Sequence, residues 1–139
     1  MSSKLMEYFN REPRIGTIST AGPDGKVDVA VMGSPRMTDE KTVVLGSGSN
    51  RTLANLRQNP NAVYMIMEPG QTLMDWKGVR VYMSMTDLAT SGPAFDGYVK
   101  ELAGVAGEAA ASMIHALVRF KIAEVRPIVD MGQGWEQSV

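Results

Sequence analysis

The residues best suited to chemistry in this sequence lie in the polar stretch 47–60, between two apolar runs. The runs, 42–45 and 62–67, have the composition of strands, so the stretch is expected to hold a turn and a short helix. Ser49 is the expected N-cap, because its hydroxyl can accept a hydrogen bond from a first-turn N–H. Backbone N–H groups, hydroxyls and one guanidinium gather here, a combination that suits an anion such as phosphate. The residues concerned are Ser47, Gly48, Ser49, Asn50, Arg51 and Thr52.

The helix that follows this turn is expected over residues 49–59. Leu53 and Leu56, three positions apart, form its apolar face. Asn59 is expected to end the helix, since a residue before proline avoids the α region. Taken alone, such a stretch is better interpreted as a capped surface helix with a solvated arginine than as an anion site. The choice between these two interpretations depends on the rest of the chain.

Side chains that catalyse reactions by themselves are scarce. The chain has no cysteine and one histidine, His115, which falls in a predicted late helix, so the usual zinc site is not expected. The sequence contains no G-x-S-x-G elbow, and the glycines at 46 and 48 lack the spacing of a Rossmann or Walker motif. The carboxylates in or near predicted turns are interpreted as solvated charges: Asp24, Asp28, Asp39 and Glu40.

Length and composition indicate one globular domain, expected over residues 1–139. Apolar residues make up 44% of the 139 positions and charged residues 21%, which is typical of a folded chain. The net charge of −1 argues against a broad attraction to nucleic acid or to an anionic membrane. Residues 1–10 lack the apolar core of a signal peptide, and the absence of cysteine fits a reducing compartment, so a cytoplasmic location is expected.

The remaining apolar patterns predict a mainly β fold with flanking helices. Further helices are expected over 3–11 and 92–115, the second interrupted at Gly104 or Gly107. The first three strands, joined by short turns, are expected to form an antiparallel meander, and six strands to form a closed or nearly closed barrel. The expected strands are 14–20, 27–32, 41–46, 62–67, 78–86 and 117–125.

Two of these strands indicate where burial should fall. The unbroken apolar run 62–67 predicts burial on both faces. In the second strand, Val27, Val29 and Val31 are expected to share one face, and Asp28, Ala30 and Met32 the other.

The order of the elements, rather than one motif, carries a resemblance. Asn50-Arg51-Thr52 is followed by Asn55-Leu56 and Asn59-Pro60, after a leading helix and an Asp24-Gly25 hairpin. In this arrangement the chain resembles the flavin-binding split-barrel family related to pyridoxamine 5′-phosphate oxidase. The resemblance covers residues 3–128 and leaves 129–139 as a C-terminal tail.

The resemblance implies a six-stranded antiparallel split β-barrel of the FMN-binding type. It also implies a homodimer that holds one FMN per subunit at the subunit boundary. Arg51 falls at the position of the phosphate-holding basic residue, with Asn50 and Thr52 beside it. The other implied contacts are Gly46, Ser47 and Gly48 along the ribityl chain and phosphate, Val29, Ala30, Val31 and Met32 along the ring, and Trp76 and Lys77 at the ring edge.

The implied activity is that of a flavin-dependent oxidoreductase or electron carrier whose substrate is not named. The second strand offers Asp28 and no basic residue, and the tail ends without arginine, so oxidation of pyridoxamine phosphate is not expected. Two alternatives stay open. One is the same fold with a deazaflavin or haem, although the single His115 argues against haem ligation. The other is a cofactor-free dimeric binding module.

Overall fold

The computed structural model describes residues 3–139; Met1 and Ser2, part of the domain expected over 1–139, lie outside the described residues. Helix α1, Lys4–Phe9, is capped by the Ser3 hydroxyl and buries the apolar side that the sequence predicts. The buried side chains are Leu5, Tyr8 and Phe9. They dock the helix on the core of the sheet that follows.

The seven strands form one antiparallel sheet, in the order β2-β1-β5-β6-β7-β4-β3. The predicted mainly β fold with flanking helices is therefore confirmed, with one strand more than the six expected. The additional strand is the four-residue β3, too short to show a period in the sequence. The strands are β1 (Ile15–Ala21), β2 (Val27–Val31), β3 (Arg36–Asp39), β4 (Thr42–Ser47), β5 (Asn61–Glu68), β6 (Lys77–Ala89) and β7 (Ala116–Pro127).

The expected meander of the first three strands is wrong. Strands β1 and β2 form a hairpin, but β4 pairs with β3 and β7 at the opposite end of the strand order. Residues 32–35, between β2 and β3, connect the two edge strands of the sheet. The short connections suggested that consecutive strands pair, so that β4 would lie beside β2. Strand β4 instead pairs with the long strand β7 on one side and with β3 on the other.

Strand β6 pairs with β5 along its first half and with β7 along most of its length. Two register shifts, at Tyr82/Met83 and Met85/Asp87, bend this pair, as bulges do. Strand β5 differs from expectation, because only one of its faces is fully buried. Ala62, Tyr64 and Ile66 are in the core, and the side chains between them are half-buried in the single chain.

Helix α2 spans Arg51–Gln58, within the predicted range 49–59, and its N-cap is Asn50, so the prediction of Ser49 as the cap was wrong by one residue. Asn50 has the extended backbone of an N-cap, and its Oδ1 accepts a hydrogen bond from the Leu53 N–H at 2.9 Å. Leu53 and Leu56 are buried and Asn59 ends the helix, as expected.

The segment between β6 and β7 holds two helices, α3 (Pro93–Ala106) and α4 (Glu108–Ser112). Of the two glycines expected to break it, Gly107 does so, with φ at 94°, whereas Gly104 lies within α3. His115 lies beyond the end of α4 rather than on the predicted helix, and it is exposed. Helix α3 has no fully buried residue, so the core holds it only loosely.

Arg14 joins three parts of the fold at the start of β1. Its guanidinium donates hydrogen bonds to the carbonyl oxygens of Phe9, Gly33 and Pro35. It lies 5.3 Å from the ring centroid of Phe9 and 5.4 Å from that of Tyr64, within the range of cation–π attraction. The end of α1 and the connection between the two sheet edges are thereby held against β1.

The C-terminal tail returns to the barrel. Residues Trp135–Ser138 form one 3₁₀ turn, and the Trp135 side chain packs against the core. Lys4 Nζ donates to the Glu136 carbonyl at 2.9 Å, and Asp130 accepts from Arg80 and Arg126 at 2.9 and 2.7 Å. These contacts hold both ends of the tail to the rest of the chain.

Within residues 3–139, no helix has the length and apolar character needed to cross a membrane.

Because Asn50, not Ser49, caps α2, replacing each by alanine separates the two assignments. Asn50→Ala should lower the free energy of unfolding by about 0.5–2 kcal/mol, since the Leu53 N–H loses its acceptor. Ser49→Ala should stay within about 0.5 kcal/mol of wild type, as surface substitutions usually do. Urea denaturation followed by circular dichroism measures both values. A larger loss for Ser49→Ala would contradict the assigned cap.

Candidate functional site

The start of α2 lies beside the β1–β2 hairpin, so residues far apart in sequence meet there. Asn55 Nδ2 donates to the Thr20 Oγ1 of β1 at 3.0 Å, which fixes the helix on the strand. Thr20 is the direct partner of Asp28 across the hairpin. The anion-binding stretch predicted at 47–52 therefore faces the first half of β2.

Arg51 projects from the first turn of α2 with 78% of its side chain exposed. Its only ion pair among the described residues is with Asp28, at 4.0 Å between Nη1 and Oδ1. Asp28 is 24% exposed, so the prediction of a freely solvated carboxylate was wrong. A pair this long and this exposed contributes little to stability, so the guanidinium can bind another anion at small cost.

Two of the three hydroxyls predicted for the anion site are turned inward, whereas Ser49 is exposed. Ser47 and Thr52 are buried. Ser47 Oγ donates to the Gly48 carbonyl at 3.0 Å and lies 3.5 Å from the Asn50 Oδ1. Asn50 and Arg51 are exposed, and since Asn50 caps the Leu53 N–H, the N–H groups of Arg51 and Thr52 are the ones that helix geometry leaves without an acceptor at this end.

The backbone of Gly46 is covered by a side chain that the sequence did not indicate. A Cβ added at Gly46 would lie 2.5 Å from a ring carbon of Tyr98, so the ring of this α3 residue fills that space. Burial raises the pKa of Tyr98. Ser34 Oγ donates to the Gly46 carbonyl at 2.8 Å, and the His115 N–H donates to the Ser47 carbonyl at 2.7 Å. The end of β4 is thus enclosed on two sides.

Strand β2 presents its two faces as the alternation predicts. Val27, Val29 and Val31 are 86%, 64% and 82% exposed, an unusual condition for three aligned valines. Ala30 and Met32 are half-buried and pack against the core. Of the four residues predicted to lie along a ring, only Val29 and Val31 form an open apolar surface.

Trp76 and Lys77 are not brought to this place within one chain. Lys77 starts β6 and pairs with Glu68, whereas Ala89 at the far end of β6 pairs with Leu117, beside the Ser47 partner Ala116. The whole length of β6 therefore separates them from the end of β4.

Sequence reasoning missed three residues that shape the site. The only sequence feature that marks Asp28 is that it is the one charged residue in the valine-rich strand β2. Asn55 was noted as part of a motif, but its bond to Thr20 depends on how α2 lies against β1. Tyr98 carries no local signal, because its contact with Gly46 joins residues 52 positions apart.

The residues fit the phosphate end of a flavin better than its ring end. Exposed Arg51 and the open start of α2 are the donors that a phosphate takes. For the ring, the single chain offers one apolar wall, Val29 and Val31, with nothing described opposite it. A complete ring site would need a second surface facing β2.

Comparison with known proteins agrees with this fold. The family model described as pyridoxamine 5′-phosphate oxidase matches residues 2–128. Among curated protein sequences, none matches this chain significantly.

Solved structures resemble the chain at low sequence identity. An FMN-binding protein from Syntrophomonas wolfei subsp. wolfei has a TM-score of 0.76 and 23% identity, covering 91% of this chain and 84% of its own. An F420 reductase has a TM-score of 0.63 and 14% identity over 88% and 97%. HutZ, a heme storage protein from Vibrio cholerae, has a TM-score of 0.63 and 15% identity over 96% and 100%.

These structures share the fold, and the family model spans nearly all of the sequence, so the resemblance inferred from the order of elements is confirmed. The chain belongs to the pyridoxamine 5′-phosphate oxidase family.

Proposed function

We propose that this protein binds FMN in a homodimer and acts as a flavin-dependent oxidoreductase or electron carrier. The observation that carries the proposal is the exposed Arg51 at the open start of α2, beside β2, a strand whose opposite face carries three exposed valines. Membership of the family and the similarity to an FMN-binding protein support it.

In this proposal, Arg51, Asn50 and the first N–H groups of α2 hold the phosphate. A helix start contributes up to about 2 kcal/mol to a nearby anion, and a charge-assisted hydrogen bond roughly 1.5–3 kcal/mol. Micromolar binding needs about 8 kcal/mol, in addition to the cost of ordering the ligand. The phosphate contacts alone are too weak, so burial of the ring system has to supply much of the affinity.

The second surface for the ring is proposed to come from another copy of the chain. Strand β2 exposes three valines, and one of them, Val27, lines an apolar cleft of about 330 Å³ together with Val63 and Tyr82. Large apolar patches of this kind mark interaction surfaces. Trp76 and Lys77, remote from Arg51 within one chain, belong to the same site only if a second copy brings them there.

Bound flavin supplies the electron and hydride transfer, so the protein needs no catalytic side chain of its own. The role of the chain is to bind and orient the flavin and to exclude water from its ring. Asp28 on β2 and the arginine-free end of the tail argue against pyridoxamine phosphate as the substrate.

The first prediction concerns the cofactor itself. Purified protein, or protein mixed with FMN and desalted, should show flavin absorbance and a raised melting temperature, because a ligand at a hundredfold excess over its Kd stabilises by about 2.7 kcal/mol. Deazaflavin and haem, tested alongside, give distinct spectra. Retention of either one in place of FMN would favour the alternative cofactor. A protein that takes up none of them would support a cofactor-free module.

Replacing Arg51 tests where the phosphate lies. Arg51→Ala should weaken FMN binding by roughly 1.5–3 kcal/mol, since one charge-assisted hydrogen bond is lost. Arg57→Ala, which removes an exposed arginine from the last turn of the same helix, is the matched control and should leave the affinity unchanged. Fluorescence titration of FMN measures both. Equal FMN affinities for the two variants would indicate that the phosphate does not bind at the start of α2.

The dimer is tested on the valine face of β2. Val29→Glu should turn the dimer into a monomer, because it places a charge in an apolar interface. Val105→Glu, at an exposed valine of α3, should leave the mass unchanged. Light scattering after size exclusion gives the mass directly. A wild-type monomer, or a Val29→Glu variant that stays dimeric, would contradict the interface.

A further inference from the structure

Asp28 places a negative charge at the one point where the proposed function needs a positive one. It is the only ion-pair partner of Arg51 among the described residues, and it lies on the strand that faces the start of α2. We propose that Asp28 is an internal competitor for Arg51 that lowers the affinity of the site for phosphorylated flavins. This inference rests on the proposed function, and it names a residue that sets ligand preference within it.

The distances place the carboxylate within reach of any phosphate on Arg51. Asp28 Oδ1 is 4.0 Å from Arg51 Nη1, and a charge-assisted hydrogen bond is about 2.8 Å long. A phosphate oxygen bound to that nitrogen is therefore within about 7 Å of the carboxylate. The Debye length is about 8 Å at physiological salt, so the two anions repel each other there.

The backbone around Asp28 leaves it little freedom to withdraw. Asp28 pairs with Thr20 across the β1–β2 hairpin, and the Thr20 hydroxyl accepts from Asn55 of α2 at 3.0 Å. Strand and helix are thereby tied together at the level of the carboxylate. The Asp28 side chain is also the less exposed of the pair, so Arg51 is the partner that can turn away.

The consequence is a preference that depends on ligand charge. A phosphate monoester must draw Arg51 away from Asp28 and then stay near the carboxylate, whereas riboflavin carries no phosphate and meets neither cost. Removing the charge of Asp28 should therefore strengthen FMN binding and leave riboflavin binding as it was.

The experiment compares Asp28→Asn with wild type, using FMN and riboflavin as probes in fluorescence titrations. Asp28→Asn should bind FMN roughly three- to fiftyfold more tightly at low salt, the range that Coulomb's law gives for unit charges about 7 Å apart between the dielectric constant of water and that of a protein surface. The gain should shrink at about 1 M salt, where the Debye length is about 3 Å. It should also shrink in an Arg51→Ala background, because the competition for that guanidinium is then lost and only the direct repulsion remains. Circular dichroism checks the fold, and Asp28→Ser is the second variant should the amide disturb it.

Asp24→Asn is the matched control, because Asp24 lies on the same hairpin and pairs with Lys26 at 3.6 Å instead of Arg51. If Asp28→Asn behaves like Asp24→Asn, or weakens FMN binding, the inference fails while the proposed function stands. Equal tightening of FMN and riboflavin would also overturn it, since that result indicates packing rather than charge. If no variant binds either flavin, the proposed function fails and the inference falls with it.

Discussion

The fold depends on one half-buried guanidinium at the point where the sheet edges approach each other. Arg14 gathers three carbonyl oxygens, two of them from residues 32–35 and one from the end of α1. Its stacking on Phe9 and Tyr64 places the cation in the aromatic part of the core, and the Tyr64 hydroxyl donates to the Met32 carbonyl at 2.6 Å. Without this cluster the end of β2 would have few attachments, and the orientation of β2 decides what faces α2.

Elements with a strong local signal were predictable from the sequence. Alternation and β-branched residues located most strands, and Asn59 before Pro60 located the end of α2. Pairing was less predictable, because β4 finds its partner β7 about seventy residues later, and nothing local encodes that choice. The N-cap was misplaced by one residue, since Ser49 and Asn50 are both good caps and only the backbone conformation separates them.

The candidate site was predictable at its charged end and less so elsewhere. Arg51 follows a strand and starts a helix, a pattern that the sequence displays directly. The orientation of the hydroxyls was not visible, because burial of Ser47 and Thr52 depends on how α2 and β4 pack. The contact of Tyr98 with Gly46 was hidden for the same reason, as it joins a helix and a strand through tertiary packing. Trp76 and Lys77 were assigned through family resemblance, and a single chain contains no geometry that relates them to Arg51.

The loose attachment of α3 has a consequence for the end of β4. The helix is flanked by Gly92 and Gly107, both at positive φ, and it contributes no fully buried side chain to the core. Segments with few buried contacts detach at a free-energy cost well below that of global unfolding. When α3 detaches, Tyr98 leaves Gly46 and the end of β4 becomes accessible, while the sheet pairing of β4 with β7 stays intact. The end of β4, directly before the anion-binding stretch, is therefore shielded by one of the least firmly anchored parts of the molecule.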